Sequence, residues 1–367
     1  MQETAAPPVR YYPELGSWVI AGHDAAQAAL GHPGLSSRTA ENGIYLPADM
    51  REECADLLDV IGRWFVLLDG EAHTTGRRAV QRMFSPGRMR RIQEEIRGIV
   101  ARAVEEFPKD GAGDAVTQLA NVISARTMAH LLGLHDVPVD RLHEWAGALA
   151  DFLAASYRRD FAVRAQQAVR EMGRALSSVD DEDSIWNLAV GDDRDRLATC
   201  SMVLFGGLET TASLIGLSLW YVLENDLSAT VRAPGATAAT DSLIERVLEL
   251  YPPLGHVART AVTDLEMAGC PIAAGDLVLV SLTGNDPFSA GAARPDRPAA
   301  HVPNGARPDH LAFGHSMHYC MGATLARMEA SMLLSLFCER FPTARAGAVK
   351  WSRNRTYRGL AHLRIEL

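Results

Sequence analysis

Residues 313–322 read FGHSMHYCMG and run directly into the helical stretch CMGATLARMEASMLLSLFCERF. Cys320 therefore stands where a helix begins. A thiolate in that position is stabilised by the helix dipole and by backbone N–H groups that have no partner inside the helix. Gly322 removes side-chain bulk where a large, flat group would have to approach. The five cysteines (Cys54, Cys200, Cys270, Cys320 and Cys338) are odd in number, widely spaced and form no Cys-x-x-Cys pair. That pattern argues against a disulfide framework or a structural zinc site. Four of them read as small buried hydrophobes. Cys320 is the exception, although taken alone it could be one more structural cysteine.

Most of the chain around this loop reads as helix. Ser85 and Pro86 supply an N-cap and a first-turn residue for a long helix over 85–108. ANVISARTMAHLLGL, VDRLHEWAGALADFLAA and AVRAQQAVREMGRALSSV keep helical periodicity, and another long helix is expected over roughly 195–224. Near the start, SWVIAG reads as a short strand and HDAAQAALGHP as a short helix closed by Gly and Pro. After Pro252 and Pro253 the texture changes. LEMAGCPIAAGDLVLVS alternates between turn residues, as small antiparallel β structure does, and TYRGLAHLRIEL closes the chain in the same way. Residues 286–310 are rich in Pro, Gly, Ala and Arg, and so long an irregular segment is usually functional. No repeat and no linker divides the sequence. The expectation is a single domain over 1–367, mainly α with a minor antiparallel β part.

A formal net charge of −9 argues against a general nucleic-acid binder. No apolar run approaches the ~18 residues of a membrane span. The opening MQETAAPPVRYYPELG lacks the basic and apolar regions of a signal peptide, so a cytoplasmic protein with no membrane association is expected.

FGHSMHYCMG resembles the haem-ligand loop of the cytochrome P-450 family, Phe-Gly-x-Gly-x-His-x-Cys-x-Gly. Phe313, Gly314, His318, Cys320 and Gly322 match it. LFGGLETTAS is similar to the family's oxygen-binding helix, with Glu209 and Thr210 as its acid–alcohol pair. DGEAHTTGRRAVQRMFSP is similar to the haem-contacting helix, and GNDP at 284–287 with the Pro-rich stretch beyond it to the segment that leads into the haem loop. The order and spacing agree over nearly the whole chain. The resemblance implies the cytochrome P-450 fold, with haem b between the oxygen-binding helix and the helix after the cysteine loop. Cys320 would be the axial metal ligand, a thiolate that pushes electron density onto iron and favours O–O cleavage. Phe313 and Gly322 would border the haem. His73 and Arg77 lie at i and i+4, so on one helix face they can reach together toward a propionate. Arg259 and His318 are the further propionate partners that the resemblance implies. For any one of the four alone, an ordinary solvated charge is the competing reading.

Glu209 and Thr210 are polar groups in an apolar helix, which calls for a reason. One is that Thr210 bonds back to the carbonyl one turn earlier and bends the helix. The other is that Gly206 and Gly207 loosen the turn, Thr210 steadies iron-bound oxygen and Glu209 relays protons. Leu208 between them suggests an apolar wall.

No flavin or iron–sulfur motif is present. Arg77, Arg78, Arg82, Arg88, Arg90 and Arg91 form a basic run in an acidic protein. It is either a solvated helix face or, as the resemblance implies, a docking patch for an acidic ferredoxin supplied by a ferredoxin reductase and NAD(P)H.

Three features depart from the family pattern. Ser316 replaces the second loop glycine. Arg246 and Glu249 reverse the family's Glu-x-x-Arg, and the chain is short between about 180 and 200. If Ser316 keeps a glycine-like positive φ, it carries a steric cost of ~1–2 kcal/mol. Glu249 is expected to pair with a cation of the irregular segment, Arg297 first and Arg294 second. Three functions follow: a monomeric tailoring oxidase that hydroxylates or couples a small-molecule, peptide-derived or carrier-bound substrate; a haem-free recruitment or binding module; and a haem protein without turnover. The pocket walls that the resemblance implies are 38–66, 154–162, 254–257 and 358–361.

Overall fold

The computed structural model describes residues 7–38, 46–108, 113–286, 288, 309–352, 354 and 356–367. In chain order, β1 (Val9–Tyr12) and β2 (Ser17–Ile20) form a hairpin, followed by α1 (His23–Leu30) and β3 (Leu35–Ser36). The helical part comprises α2 (Ala55–Gly62), α3 (Gly70–Gln81), α4 (Pro86–Arg91), α5 (Gln93–Glu106), α6 (Asn121–Leu132), α7 (Val139–Ala154) and α8 (Arg159–Leu176). It continues with the single turn α9 (Ile185–Leu188), then α10 (Asp193–Glu224), α11 (Ser228–Arg232) and α12 (Thr237–Leu250). After the double-proline turn come β4 (His256–Ala261), β5 (Leu265–Met267), β6 (Cys270–Ile272) and β7 (Leu277–Ser281). The last elements are α13 (Ala323–Arg340), β8 (Arg345–Trp351) and β9 (Leu360–Glu366).

The organising element is α10. Asp192 caps it by accepting from Arg194 N and Asp195 N, while Asp195 reaches back to Asp192 N in a reciprocal box. Helices α6, α7, α12 and α13 pack around it, so most of its side chains after Ala198 are buried. By length and composition α10 could cross a membrane, but 67% of its most apolar stretch is buried inside the protein.

Five strands form one sheet in the order β1-β2-β7-β4-β3. Its pairs are antiparallel except for β2 and β7, which run parallel with Ser17 opposite Leu277 and Ile20 opposite Val280. The expected antiparallel character therefore holds with one exception. A parallel pair needs a long crossover, and the whole helical body supplies it. A second, smaller core joins this sheet to α1 through Ile20, Ala26, Leu30, Val278 and Val280, and it includes Leu311. The segment entering the cysteine loop is thus anchored in the sheet.

Two further expectations were modified. The helix over 85–108 is two helices, α4 and α5, because Ile92 leaves helical geometry (φ −85, ψ 2). The short stretch before α10 retains just the four residues of α9.

Candidate active site

The cysteine loop is closed by its own backbone. Cys320 N donates to Phe313 O at 2.8 Å, Gly314 N to Leu311 O at 2.8 Å and Tyr319 N to Ser316 O at 3.1 Å. That winding takes the chain through left-handed geometry twice, at Gly314 (φ 72) and at Ser316 (φ 58). The expected positive φ at Ser316 is therefore present, on a residue type that favours it poorly. Gly322 is the N-cap of α13, and a Cβ there would lie 3.9 Å from Cys320 Sγ. Cys320 is solvent-accessible, yet protein crowds it from most directions. Burial pushes its thiol up, and the N–H groups of Gly322 and Ala323 with the cations Arg77 and Arg327 only partly offset this. The helix terminus alone does not make the thiolate. A coordinated metal would, since it deprotonates a thiol outright.

Around this loop the structure gathers imidazoles and guanidinium groups with too few acceptors. His73 on α3 is 2% exposed, and neither of its ring nitrogens has a partner. Its ring lies 4.3 Å from that of His318. His318 Nε2 meets Ser37 Oγ at 3.0 Å and Asp69 at 3.9 Å. Arg77 donates to the Tyr319 carbonyl at 2.7 Å, which ties α3 to the cysteine loop. Arg259 on β4 is 7% exposed and donates to its neighbour's carbonyl, Ala258 O, at 2.8 Å.

The titration directions express this crowding. Burial first, then Arg259, His73 and Arg77, hold His318 down to about 4, against the weaker pull of Asp69. Burial brings Arg259 down to about 10. Burial and Arg77 also lower His73. Asp69 is kept ionised by Ser36, Ser37, His318 and Arg259 despite its own burial. Buried donors without acceptors are expensive. Here they surround a thiol at a helix start, a donor set that fits haem, whose two carboxylates would take the unpaired N–H groups and whose iron would take the sulfur.

The structure thus brings together Cys320, His73, Arg77, Arg259, His318, Phe313 and Gly322. Phe313 lies beneath the Arg327 guanidinium, 4.4 Å from the ring centre. The basic run is divided: Arg88 is buried and bonded to the Asp183 carbonyl, while Arg78, Arg82, Arg90 and Arg91 are exposed.

On α10, Thr210 Oγ1 donates to Gly206 O at 2.6 Å, which is the back-bonded arrangement. The helix runs unbroken through both glycines. Gly207 packs closely on α6, since a Cβ there would lie 2.7 Å from Met128 Sδ and that flexible side chain would have to move. A Cβ on Gly206 would meet nothing within 4 Å, so open space lies beside the turn that precedes Thr210. Glu209 has a partner that sequence reasoning missed: its Oε1 is 3.2 Å from Nδ1 of His143 on α7. The sole signal was a histidine interrupting the apolar spacing of Leu142, Trp145, Ala146 and Leu149.

A second missed group lies beneath the loop. Glu245 on α12 binds Arg327 on α13 through both oxygens, and His310 Nε2 lies 3.3 Å from Glu245. Arg246 turns to Glu249 on its own helix at 2.5 Å. Arg294 and Arg297, the expected partners of Glu249, lie outside the described residues. The walls expected at 254–257 and 358–361 are each bonded to a residue flanking the other, Gly255 N to Thr356 O (2.8 Å) and Arg358 N to Pro253 O (2.7 Å). Tyr357 between them reaches the Phe205 ring of α10 at 6.4 Å.

The family described as cytochrome P-450 matches residues 238–356 of the chain. Cytochrome P-450 FAS1 of Rhodococcoides fascians is 30% identical over 75% of this chain and 70% of its own length. The 6-deoxyerythronolide B hydroxylase of Saccharopolyspora erythraea is 28% identical over 100% of this chain and 94% of its own. Among solved structures, the tirandamycin C-bound P-450 monooxygenase TamI is 26% identical and superimposes with a TM-score of 0.78, covering 96% of this chain and 90% of that one.

Proposed function

The chain belongs to the cytochrome P-450 family, and from that premise we propose that it is a haem-thiolate monooxygenase that tailors a small-molecule metabolite. The observation that carries this reading is the convergence of unpaired His73 and buried Arg259 on the loop that presents Cys320. Hydroxylases among its relatives, one named for 6-deoxyerythronolide B, support hydroxylation as the reaction. Oxidative coupling is a second outcome open to the same site. The reading takes residues 1–367 as one domain, monomeric and cytoplasmic.

When bound, haem would supply dioxygen activation. The chain's own residues do the rest. Cys320 would supply the thiolate that holds the iron, with the Gly322 and Ala323 N–H groups directed at its sulfur. Arg77, Arg259, His73 and His318 would hold the carboxylates, and the burial of His73 and Arg259 would keep that grip out of water. Thr210, poised beside the open space at Gly206, holds a hydroxyl where a proton must be placed, and Glu209 moves the proton toward it. Fully buried Leu208 keeps water from the back of that turn.

Electrons would come from NAD(P)H through a ferredoxin reductase and a ferredoxin. Arg78, Arg82, Arg90 and Arg91 offer an exposed basic face for an acidic carrier, and the Arg77 bond to Tyr319 O sets α3 against the ligand loop. The test is the carbon-monoxide spectrum of the reduced protein. We expect the strongly red-shifted Soret band of thiolate ligation, and its loss in Cys320→Ser. A mutant that retained the band would overturn the role of Cys320. A wild type that binds no haem would favour the binding-module alternative.

A further inference from the structure

His143 is a side chain to which the monooxygenase reading gives no task. Its ring bridges two other helices. Nδ1 lies 3.2 Å from Oε1 of Glu209 on α10, and Nε2 lies 3.2 Å from the Asn121 carbonyl on α6. The His143 side chain is 19% exposed and that of Glu209 is 38% exposed, so the pair retains an edge to solvent.

A backbone carbonyl can only accept, so Nε2 must carry a proton. A neutral imidazole has one N–H, and committing it to Asn121 leaves a bare lone pair at Nδ1. That lone pair would face the Glu209 carboxylate, which is repulsive. Two states satisfy both contacts: an imidazolium against a carboxylate, or a neutral imidazole accepting from a protonated carboxyl. These states hold the same number of protons and differ only in which side of the 3.2 Å gap the proton occupies.

We propose that His143 positions Glu209 and is its proton source, so that the pair stores one transferable proton beside Thr210. In the transfer the Nδ1–H bond breaks, its electron pair stays on nitrogen, and an Oε1–H bond forms on Glu209. After Glu209 passes the proton on, the neutral ring regains one from water at the exposed edge, with no oxidant or reductant involved.

The surroundings favour the charged ring. Burial opposes it, but Glu209 and the Asn121 carbonyl prevail, with help from Asp140 on α7 itself. On α8 the nearby acid Glu171 is occupied by Trp145 Nε1 at 3.0 Å and Arg141 at 3.5 Å. From the chain's last segment, desolvation first and then the Glu209 charge push the half-buried Tyr357 phenol up. The use of the stored proton rests on the monooxygenase reading, whereas its storage does not.

The test has two arms on the holoenzyme. In the diamagnetic carbon-monoxide form, the ring nitrogen shifts of labelled His143 are followed against pH. We expect a midpoint above the ordinary ~6.5, moving below it in Glu209→Gln. A midpoint at or below the ordinary value in wild type overturns the proposal. In the second arm, a ferredoxin and its reductase supply electrons without added substrate, and NADPH oxidation is measured against pH. The wild-type rate should fall as pH rises through the His143 midpoint. His143→Gln, which keeps hydrogen-bonding groups but cannot titrate, should run about tenfold slower without that inflection. A variant with the wild-type rate and profile overturns the proposal. Absence of the carbon-monoxide band would instead defeat the monooxygenase reading, and the titration arm can then be read on the haem-free chain.

Discussion

Glu245 holds Arg327 with both carboxylate oxygens, 2.5 Å to Nε and 3.0 Å to Nη2, and so joins α12 to the helix that carries the cysteine loop at its start. The Glu245 side chain is 10% exposed, and His310, three residues before Phe313, approaches it from the loop's entrance. One carboxylate thus gathers the approach to the loop, the helix behind it and α12.

Glu245→Gln should therefore destabilise the protein by about 3 kcal/mol and release haem, because it leaves the Arg327 charge without its partner. Glu249→Ala should cost less than ~1 kcal/mol, since that pair is confined to one helix and Glu249 is 37% exposed. Thermal unfolding and haem retention of the two variants decide this. A larger effect at Glu249 would place the clamp at the reversed motif instead.

The same carboxylate sets a pH dependence. Burial opposes its ionisation, but His310 and Arg327 more than offset that and hold Glu245 at about 2. A depressed carboxylate stabilises the fold above its unfolded value of about 4.5 and loses that contribution as pH falls toward 2, a total of about 3 kcal/mol. Denaturant unfolding of wild type and Glu245→Gln at pH 5.5 and pH 3 should show the gap between them narrowing at the lower pH. A constant gap would mean that the pair is not what the mutation removes.

Ser316 occupies φ 58 in the ligand loop, where glycine has no side-chain penalty. Relief of that strain is opposed by the added freedom of glycine in the unfolded chain. Ser316→Gly should be neutral or stabilising by up to about 1 kcal/mol. A clear drop in melting temperature would reveal a stabilising contact of the serine hydroxyl.

Arg259 is buried, and among the described residues no carboxylate lies within ion-pair distance of it. Its charge is costly in the haem-free protein, where the attraction of Asp69 does not offset its burial, and a bound anion would relieve that cost. Arg259→Met should therefore raise the melting temperature of the haem-free chain and lower haem affinity. If the substitution destabilised both forms equally, Arg259 would be a structural residue rather than a carboxylate donor.

The parts of the site that were legible from sequence were those carried by contiguous residues. The cysteine loop, the Glu209–Thr210 pair and the His73–Arg77 spacing are local patterns, and each lies on the expected element. The partners found only in the structure are separated along the chain: His143 is 66 residues from Glu209, and Glu245 is 82 from Arg327. No local periodicity encodes such pairings. The reversed motif drew attention to Glu249, while the clamp uses the carboxylate one helical turn earlier. Arg88 shows the same limit. It read as one of six exposed cations, but it turns inward to the Asp183 carbonyl.

The parallel pairing of β2 with β7 has a consequence for how the chain is made. Ser17 must wait for Leu277, so about 260 residues have to emerge before the sheet can close. At roughly 5–20 residues per second, the first hairpin leaves the ribosome some ten seconds to a minute before its partner. Through that interval the open edge of β2, with Val19 and Ile20 destined for burial, is a surface on which neighbouring nascent chains can pair. Yield during expression should therefore depend more on chaperone supply and translation speed than the stability of the finished helical body would suggest.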